Sequence, residues 1–282
     1  MAIKKSELYS TLWRSCDELR GGMDASQYKN YVLTLLFIKY VSDKAKYNVE
    51  SLIEVPEGCS FDDMVNLKGK TNIGEQMNIK LAAWEEANDL DGMFKEADFS
   101  DESKLGKGKD LVQTVSNLIG IFQSSGLNFG RNQASDDDLM GDAYEYLMKH
   151  FATESGKSKG QFYTPAEVSR VMAKVIGLNR ETRPNVSIYD PTCGSASLLL
   201  RALSEASNGA ALYGQEYDIT TVGLAKMNMI LHGYETYDIR SGDTLNNPQF
   251  IKDDNLTTFS YAVANPPFSQ KYWLKSATTN DK

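Results

Sequence analysis

Ile188-Tyr-Asp-Pro-Thr-Cys-Gly-Ser-Ala-Ser197 is the stretch on which the fold turns. An apolar, β-rich run, Val186 to Tyr189, ends in Asp190, and a helix is predicted to start near Ser197 and reach Ala206. Between them a glycine and two small residues let the backbone come close to a ligand, and the helix start offers unpaired N–H groups. The dinucleotide fingerprint G-x-G-x-x-G is absent, because Gly194 is the lone glycine of the segment. Asp190 instead sets a carboxylate at the strand's end, suited to a cationic group such as an amino acid's ammonium. An ordinary strand-to-helix turn is the competing reading.

Working outward, β-rich runs and helices alternate. Ala210 to Tyr213, Thr236 to Arg240 and Tyr261 to Ala264 read as strands, and Ile219 to Leu231 as a helix. That alternation predicts a parallel sheet with crossover helices. Before Glu154 the period is helical. Leu8, Leu12, Cys16 and Leu19 share one face, Gly21-Gly22 ends that segment, and Asp24 or Ser26 can cap a second helix. That second helix, through Tyr31, Leu35, Ile38 and Val41, is apolar enough to be largely buried. Helical patterns also cover roughly 75–90, 109–123 and 136–151, where Asp136-Asp-Asp138 suits a helix N-terminus. Polar loops are expected over Asp98 to Lys109 and Ser124 to Gln133, and a linker over Glu154 to Gly160. The expected architecture is a helical N-terminal domain over 1–155 followed by an α/β domain over 156–282.

Composition narrows the function. With 41% hydrophobic and 24% charged residues and 7 prolines among 282, the chain can bury a real core and is neither disordered nor collagen-like. Three scattered cysteines, Cys16, Cys59 and Cys193, show no paired metal spacing, so no metal site is expected and the expected compartment is a reducing cytoplasm. Cys193 is expected to be a packed thiol and not a nucleophile. No stretch approaches the ~20 apolar residues of a membrane span, and the N-terminus lacks a signal-like apolar region. Residues 1–150 hold 17 Lys and Arg against 25 Asp and Glu, whereas 151–282 hold 13 of each. The acidic half is a poor isolated DNA binder, so its expected role is packing against protein.

Two further strand ends carry candidates. Glu216 closes Ala211-Leu-Tyr-Gly-Gln-Glu216, where an α/β fold grips ribose hydroxyls, although alone it reads equally as a solvated loop acid. Asp243, in Ser241-Gly-Asp-Thr-Leu245, repeats the arrangement at the next strand. Three acids at successive strand ends fit an adenosine-containing ligand better than any one does. Ala264-Asn-Pro-Pro-Phe268 follows the fourth predicted strand, Phe259 to Val263. An exocyclic amine conjugated to a ring is a weak nucleophile, because its lone pair is delocalised. An Asn oxygen and a rigid backbone carbonyl can accept its two N–H bonds, and an aromatic can stack on a base drawn out of the duplex.

Asp-Pro-Thr-Cys-Gly-Ser followed by Asn-Pro-Pro-Phe resembles the N6-adenine DNA methyltransferases. Gln161-Phe-Tyr-Thr-Pro165 narrows the resemblance to the methylation subunits of type I restriction–modification systems. It implies a helical N-terminal domain before a Rossmann-like methyltransferase core, S-adenosylmethionine as donor, and adenine in duplex DNA as acceptor. It also implies that Gln161, Phe162, Tyr163, Thr164, Pro165, Asp190, Gly194, Ser195, Ala196 and Glu216 line the donor pocket. Asp243 would lie near the donor's adenine, and Asn265, Pro266 and Phe268 would hold the target base. Implied partners are a DNA-recognition subunit, a second methylation subunit and, as a further candidate, a restriction subunit; a membrane is not among them.

This sequence departs from the family pattern in two places. Ala196 stands where relatives often carry glycine, and 14 residues follow Phe268, so the chain is expected to end inside the core. Two alternatives stay open. One is methylation of protein glutamine amides, which also uses Asn-Pro-Pro-aromatic motifs; the other is a truncated, non-catalytic assembly module. The N-terminal helices and Gln161 to Pro165 favour DNA.

Overall fold

The computed structural model describes residues 5–19, 25–46, 53–124, 127–129, 139–154, 164 and 166–267. The chain divides into two compact units, Met1–Lys157 with Ile230–Glu235, and Ser158–Met229 with Thr236–Lys282.

The first unit is helical, with α1 (Lys5–Leu19), α2 (Ala25–Ala45), α3 (Phe61–Val65), α4 (Ile73–Ala87), α5 (Glu102–Leu105), α6 (Lys109–Phe122) and α7 (Leu139–Glu154). Leu8, Leu12, Cys16 and Leu19 of α1 are buried, as their spacing predicts. α2 has no polar face to offer water through Tyr31–Ile38, and α1, α3, α6 and α7 surround it. Ser26, a candidate cap, lies inside α2; Asp24, Gly21-Gly22 and Asp136-Asp-Asp138 lie outside the described residues. The segment expected to be a loop over Asp98 to Lys109 contains α5, because the Asp101 carboxylate accepts the Ser103 N–H (3.0 Å) and starts a turn. Of the expected linker, Glu154 ends α7 and the rest lies outside the described residues.

Inside α2 one buried ion pair interrupts the apolar run. Lys39 Nζ stands 2.7 Å from Asp43 Oδ2 and 5.2 Å from the centre of the Phe61 ring. The same Asp43 oxygen accepts the Phe129 N–H at 3.0 Å.

The second unit contains α8 (Ala166–Val175), β1 (Ser187–Asp190), α9 (Ser197–Glu205), β2 (Ala211–Glu216), α10 (Ile219–Leu231, in this unit through Met229), β3 (Tyr237–Ser241), β4 (Ile251–Lys252), β5 (Asn255–Leu256) and β6 (Tyr261–Ala262). The sheet order is β3-β2-β1-β6, and every pairing is parallel. β4 and β5 form a separate antiparallel hairpin. Ile188, Leu212 and Ile239 belong to a core with Leu199 and Leu203 of α9, Val222 and Met229 of α10, and Ala173 of α8. Tyr189 and Tyr213, alternating with these positions, pack against Phe250 and Phe259. β6 is shorter than the expected Phe259–Val263, because Phe259 leaves the ladder to stack on Tyr189 at 4.5 Å. The chain leaves β1 for β2 on one side and returns as β6 on the other. The carboxyl ends of β1 and β6 therefore flank the point where strand order reverses, the usual ligand crevice of such sheets.

Removing one partner of a buried ion pair strands the other. Asp43→Ala is therefore expected to destabilise the helical unit by about 3–5 kcal/mol, read by urea unfolding. Replacing both Lys39 and Asp43 with apolar residues should recover much of that loss.

Candidate active site at the carboxyl edge of the sheet

The parallel ladder brings four sequence-predicted residues to one edge. Asp190 ends β1 and Glu216 ends β2, while Asp243 follows β3 and Asn265 follows β6. Gln161, Phe162, Tyr163, Pro165 and Phe268 lie outside the described residues.

Asp190 is 1% exposed, and its Oδ1 accepts the Thr192 N–H at 2.9 Å. Burial raises its pKa to about 7, against the lowering effect of the Thr192 amide, and the nearby Glu216 carboxylate pushes the same way. A bound ammonium would supply the charge that favours ionisation. Glu216 accepts backbone donors at both oxygens: Oε2 takes the Gly194 N–H (3.0 Å) and Oε1 the Asp218 N–H (3.1 Å), and the Tyr217 amide also bonds to it. Burial raises its pKa as well. A carboxylate has about four accepting positions, so Glu216 can still take a hydroxyl.

The turn between β1 and α9 crosses over β2. The Cys193 N–H donates to the Gln215 carbonyl (3.0 Å), and the Ala196 N–H to the Cys193 carbonyl (2.8 Å). Gly194 and Ala196 both adopt left-handed backbone, at φ 53° and 62°. For alanine that conformation carries strain, which the fully enclosed position holds in place. Ser195 is buried, and its hydroxyl lies 3.0 Å from the Ser197 hydroxyl. The Cys193 thiol is buried with its pKa raised well above normal by desolvation, which fits a packed thiol and not a nucleophile. Among the described residues no group of three or more His, Cys, Asp or Glu could hold a metal ion.

Asp243 faces its own loop. Oδ1 accepts the N–H groups of Leu245 and Asn246, both at 3.1 Å, and Oδ2 accepts Asn246 Nδ2 at 2.9 Å. The next residue ties that loop to the first turn, with Thr244 Oγ1 donating to the Pro191 carbonyl (2.5 Å). Asn265 Nδ2 donates to Thr164 Oγ1 at 3.2 Å. Pro266 and Pro267, both half-buried, limit the backbone that follows.

Several supporting residues carry no local sequence signal. Gln215, fully buried, donates from Nε2 to the Asn247 carbonyl (3.1 Å) and accepts the Gln249 N–H (3.0 Å), pinning the Asp243 loop to β2. Asn228 of α10, also fully buried, donates to the Ser195 carbonyl at 2.7 Å and holds the turn from beneath. Gly214 provides space, since a Cβ there would sit 2.9 Å from Cys193 Sγ.

A parallel α/β sheet with a buried and a half-buried acid at two strand tips, a tight turn over the second strand and Asn-Pro-Pro at the switch point defines a Rossmann-like methyltransferase core. The chain belongs to the N-6 DNA methylase family, whose profile matches residues 135–282. The HsdM N-terminal domain profile matches residues 8–122. The chain is 30% identical to the type I restriction enzyme MpnII methylase subunit of Mycoplasma pneumoniae, over 92% of this chain and 57% of that protein. It is 28% identical to the EcoKI methylase subunit of Escherichia coli K12, over 94% of this chain and 51% of that protein. The crystal structure of the type I restriction-modification system methyltransferase subunit from Streptococcus thermophilus superposes with a TM-score of 0.77 at 29% identity. That match covers 98% of this chain and 66% of the other. The chain thus spans about half the length of the curated relatives it matches.

Gly214→Ala should force the turn away from β2 at a cost of about 1–3 kcal/mol, measured by chemical denaturation. Adding Cys193→Ala should restore part of the loss, because Sγ is the nearest atom to the new methyl.

Proposed function

We propose that this chain is the methylating part of a type I restriction–modification enzyme, acting on N6 of adenine in duplex DNA in the cytoplasm. On this reading residues 1–155 form the helical domain and 156–282 the methyltransferase core. The observation that carries it is the pairing of an Asn-Pro-Pro tip on β6 with a buried, cation-seeking carboxyl on the adjacent strand β1.

The residues present fit S-adenosylmethionine. Asp190 suits its ammonium, Glu216 its ribose hydroxyls, and Gly194, Ser195 and Ala196 keep the turn close to the strand. The Gln161–Pro165 segment and Asp243 complete the proposed pocket. Bound there, the donor would supply an electrophilic methyl on a sulfonium, departing as a neutral thioether while the methylated amine sheds one proton to solvent. Asn265 Oδ1 and the Pro266 carbonyl accept the two N–H bonds of the target amine. This draws the lone pair out of conjugation and steadies the charge that grows on N6. Phe268 stacks on the base outside the duplex. The acidic helical domain and the relatives' naming as type I methylase subunits support partners that supply site selection. Site selection falls to a DNA-recognition subunit; a second methylation subunit and, as a further candidate, a restriction subunit complete the proposed assembly.

Asn265→Ala is expected to abolish transfer of radiolabelled methyl to DNA in the assembled enzyme while leaving donor affinity within about threefold. Equal losses in both would remove Asn265 from the acceptor side.

A pH dependence also follows. The raised pKa of Asp190 means the empty site holds a proton until pH nears 7. The stability this gives the ligand-free fold is full below the unfolded carboxyl range and is lost as pH rises towards 7. Pairing with an ammonium expels that proton. The donor's dissociation constant should therefore fall roughly fivefold from pH 6 to pH 7, below the usual titration of an α-amine. Calorimetry in the two buffers measures it, and Asp190→Asn should flatten the dependence.

A further inference from the structure

A carboxamide has an accepting end and a donating end, and half a turn about its last side-chain bond exchanges them. The oxygen end alone can accept an N–H from a target amine; the NH₂ end would set donor against donor. In this structure Asn265 Nδ2 is engaged by Thr164 Oγ1 at 3.2 Å, across 101 residues of chain. With the nitrogen so held, Oδ1 is the end left for a ligand at the tip of β6. Both residues are half-buried. Thr164 is itself anchored. Its carbonyl accepts Ser169 Oγ at 3.5 Å, Ser169 is buried near the start of α8, and α8 packs on α9. The Asn265 backbone has little freedom to compensate, because a residue before proline is confined to extended conformations.

We infer that Thr164 is a positioning residue for methyl transfer, its hydroxyl holding the Asn265 side chain through Nδ2 so that Oδ1 remains for the target amine. This rests on the function proposed above and assigns Thr164 a role on the acceptor side, beyond its expected place in the donor-side segment. Thr164→Val keeps the shape and removes the acceptor, leaving Nδ2 without this partner and the side chain free to turn. Losing that bond corresponds to about 10- to 100-fold in rate.

The test is single-turnover methyl transfer in the assembled modification enzyme, beside donor affinity, 2-aminopurine fluorescence at the target position and thermal melting. Thr164→Val should slow transfer about 10- to 100-fold at saturating donor, beyond any loss of donor affinity, with base capture within about threefold. Thr164→Ser, which retains the acceptor, should recover most of the rate, and Thr164→Ala replaces the valine variant should that one fail to fold.

A valine variant as fast as wild type would overturn the inference. So would a loss wholly matched by donor affinity, or one that serine does not recover. Failure of the wild-type enzyme to methylate adenine N6, or an unimpaired Asn265→Ala, would instead overturn the functional reading itself.

Discussion

A carboxyl buried at the end of a strand must be satisfied by groups within reach, and the geometry of the second unit grows from that demand at Asp190. The Thr192 amide turns back to it, which draws the chain sharply across β2. There the Cys193 amide finds the Gln215 carbonyl, and the Gly194 amide finds the Glu216 carboxylate. Satisfying one acid thus delivers a second acid beside it. The crossing is close enough that β2 must lack a side chain at position 214, and tight enough to hold Ala196 in left-handed backbone. Both acids end up desolvated, with raised proton affinity, so the site gains most from a ligand that brings positive charge.

The Asn265 end of the crevice is held by a different kind of constraint. Its position comes from β6, from two prolines and, among the described residues, from a side-chain bond to Thr164. The sheet joins the two halves. Tyr189 pairs with Ala262, and the Val263 N–H donates to the Tyr189 carbonyl at 2.9 Å. Asp190 is the next residue along β1, and Asn265 lies two residues past Val263. Displacement of one site against the other is therefore limited by backbone hydrogen bonds. For a transfer between two bound molecules, that rigidity matters more than any single contact.

The sequence was most legible where constraint is local. Val186 to Asp190, Ala211 to Glu216 and Ile219 to Leu231 are apolar runs ending in turn residues or acids, and the elements follow them within a residue or so. α2 declared its burial through its lack of a polar face. α8 escaped notice because its pattern misleads. Val168, Val171 and Val175 lie at helical spacing yet are exposed, while Ser169 and Ala173 are buried. β4 and β5, at two residues each, are too short to show a period. The candidate acids and Asn265 stood at strand ends and could be read from the motifs. Gln215 and Asn228 could not, since a polar residue in a strand or helix gives no sign that its partners are loop carbonyls 32 or 33 residues away.

The same distinction separates Thr164 from the residues around it. In a linear reading Thr164 belongs with Gln161 to Pro165 and the donor, because its neighbours in sequence set its context. Its hydrogen bond belongs to the acceptor, because β6 returns beside β1 at the switch point and brings residue 265 to it. A hydroxyl can serve both contexts, accepting from one partner while its own hydrogen remains for another. Chemistry between two ligands requires such a junction. The group that orients the acceptor must be placed by the frame that holds the donor, or independent motion of the two would blur the alignment that a direct transfer needs.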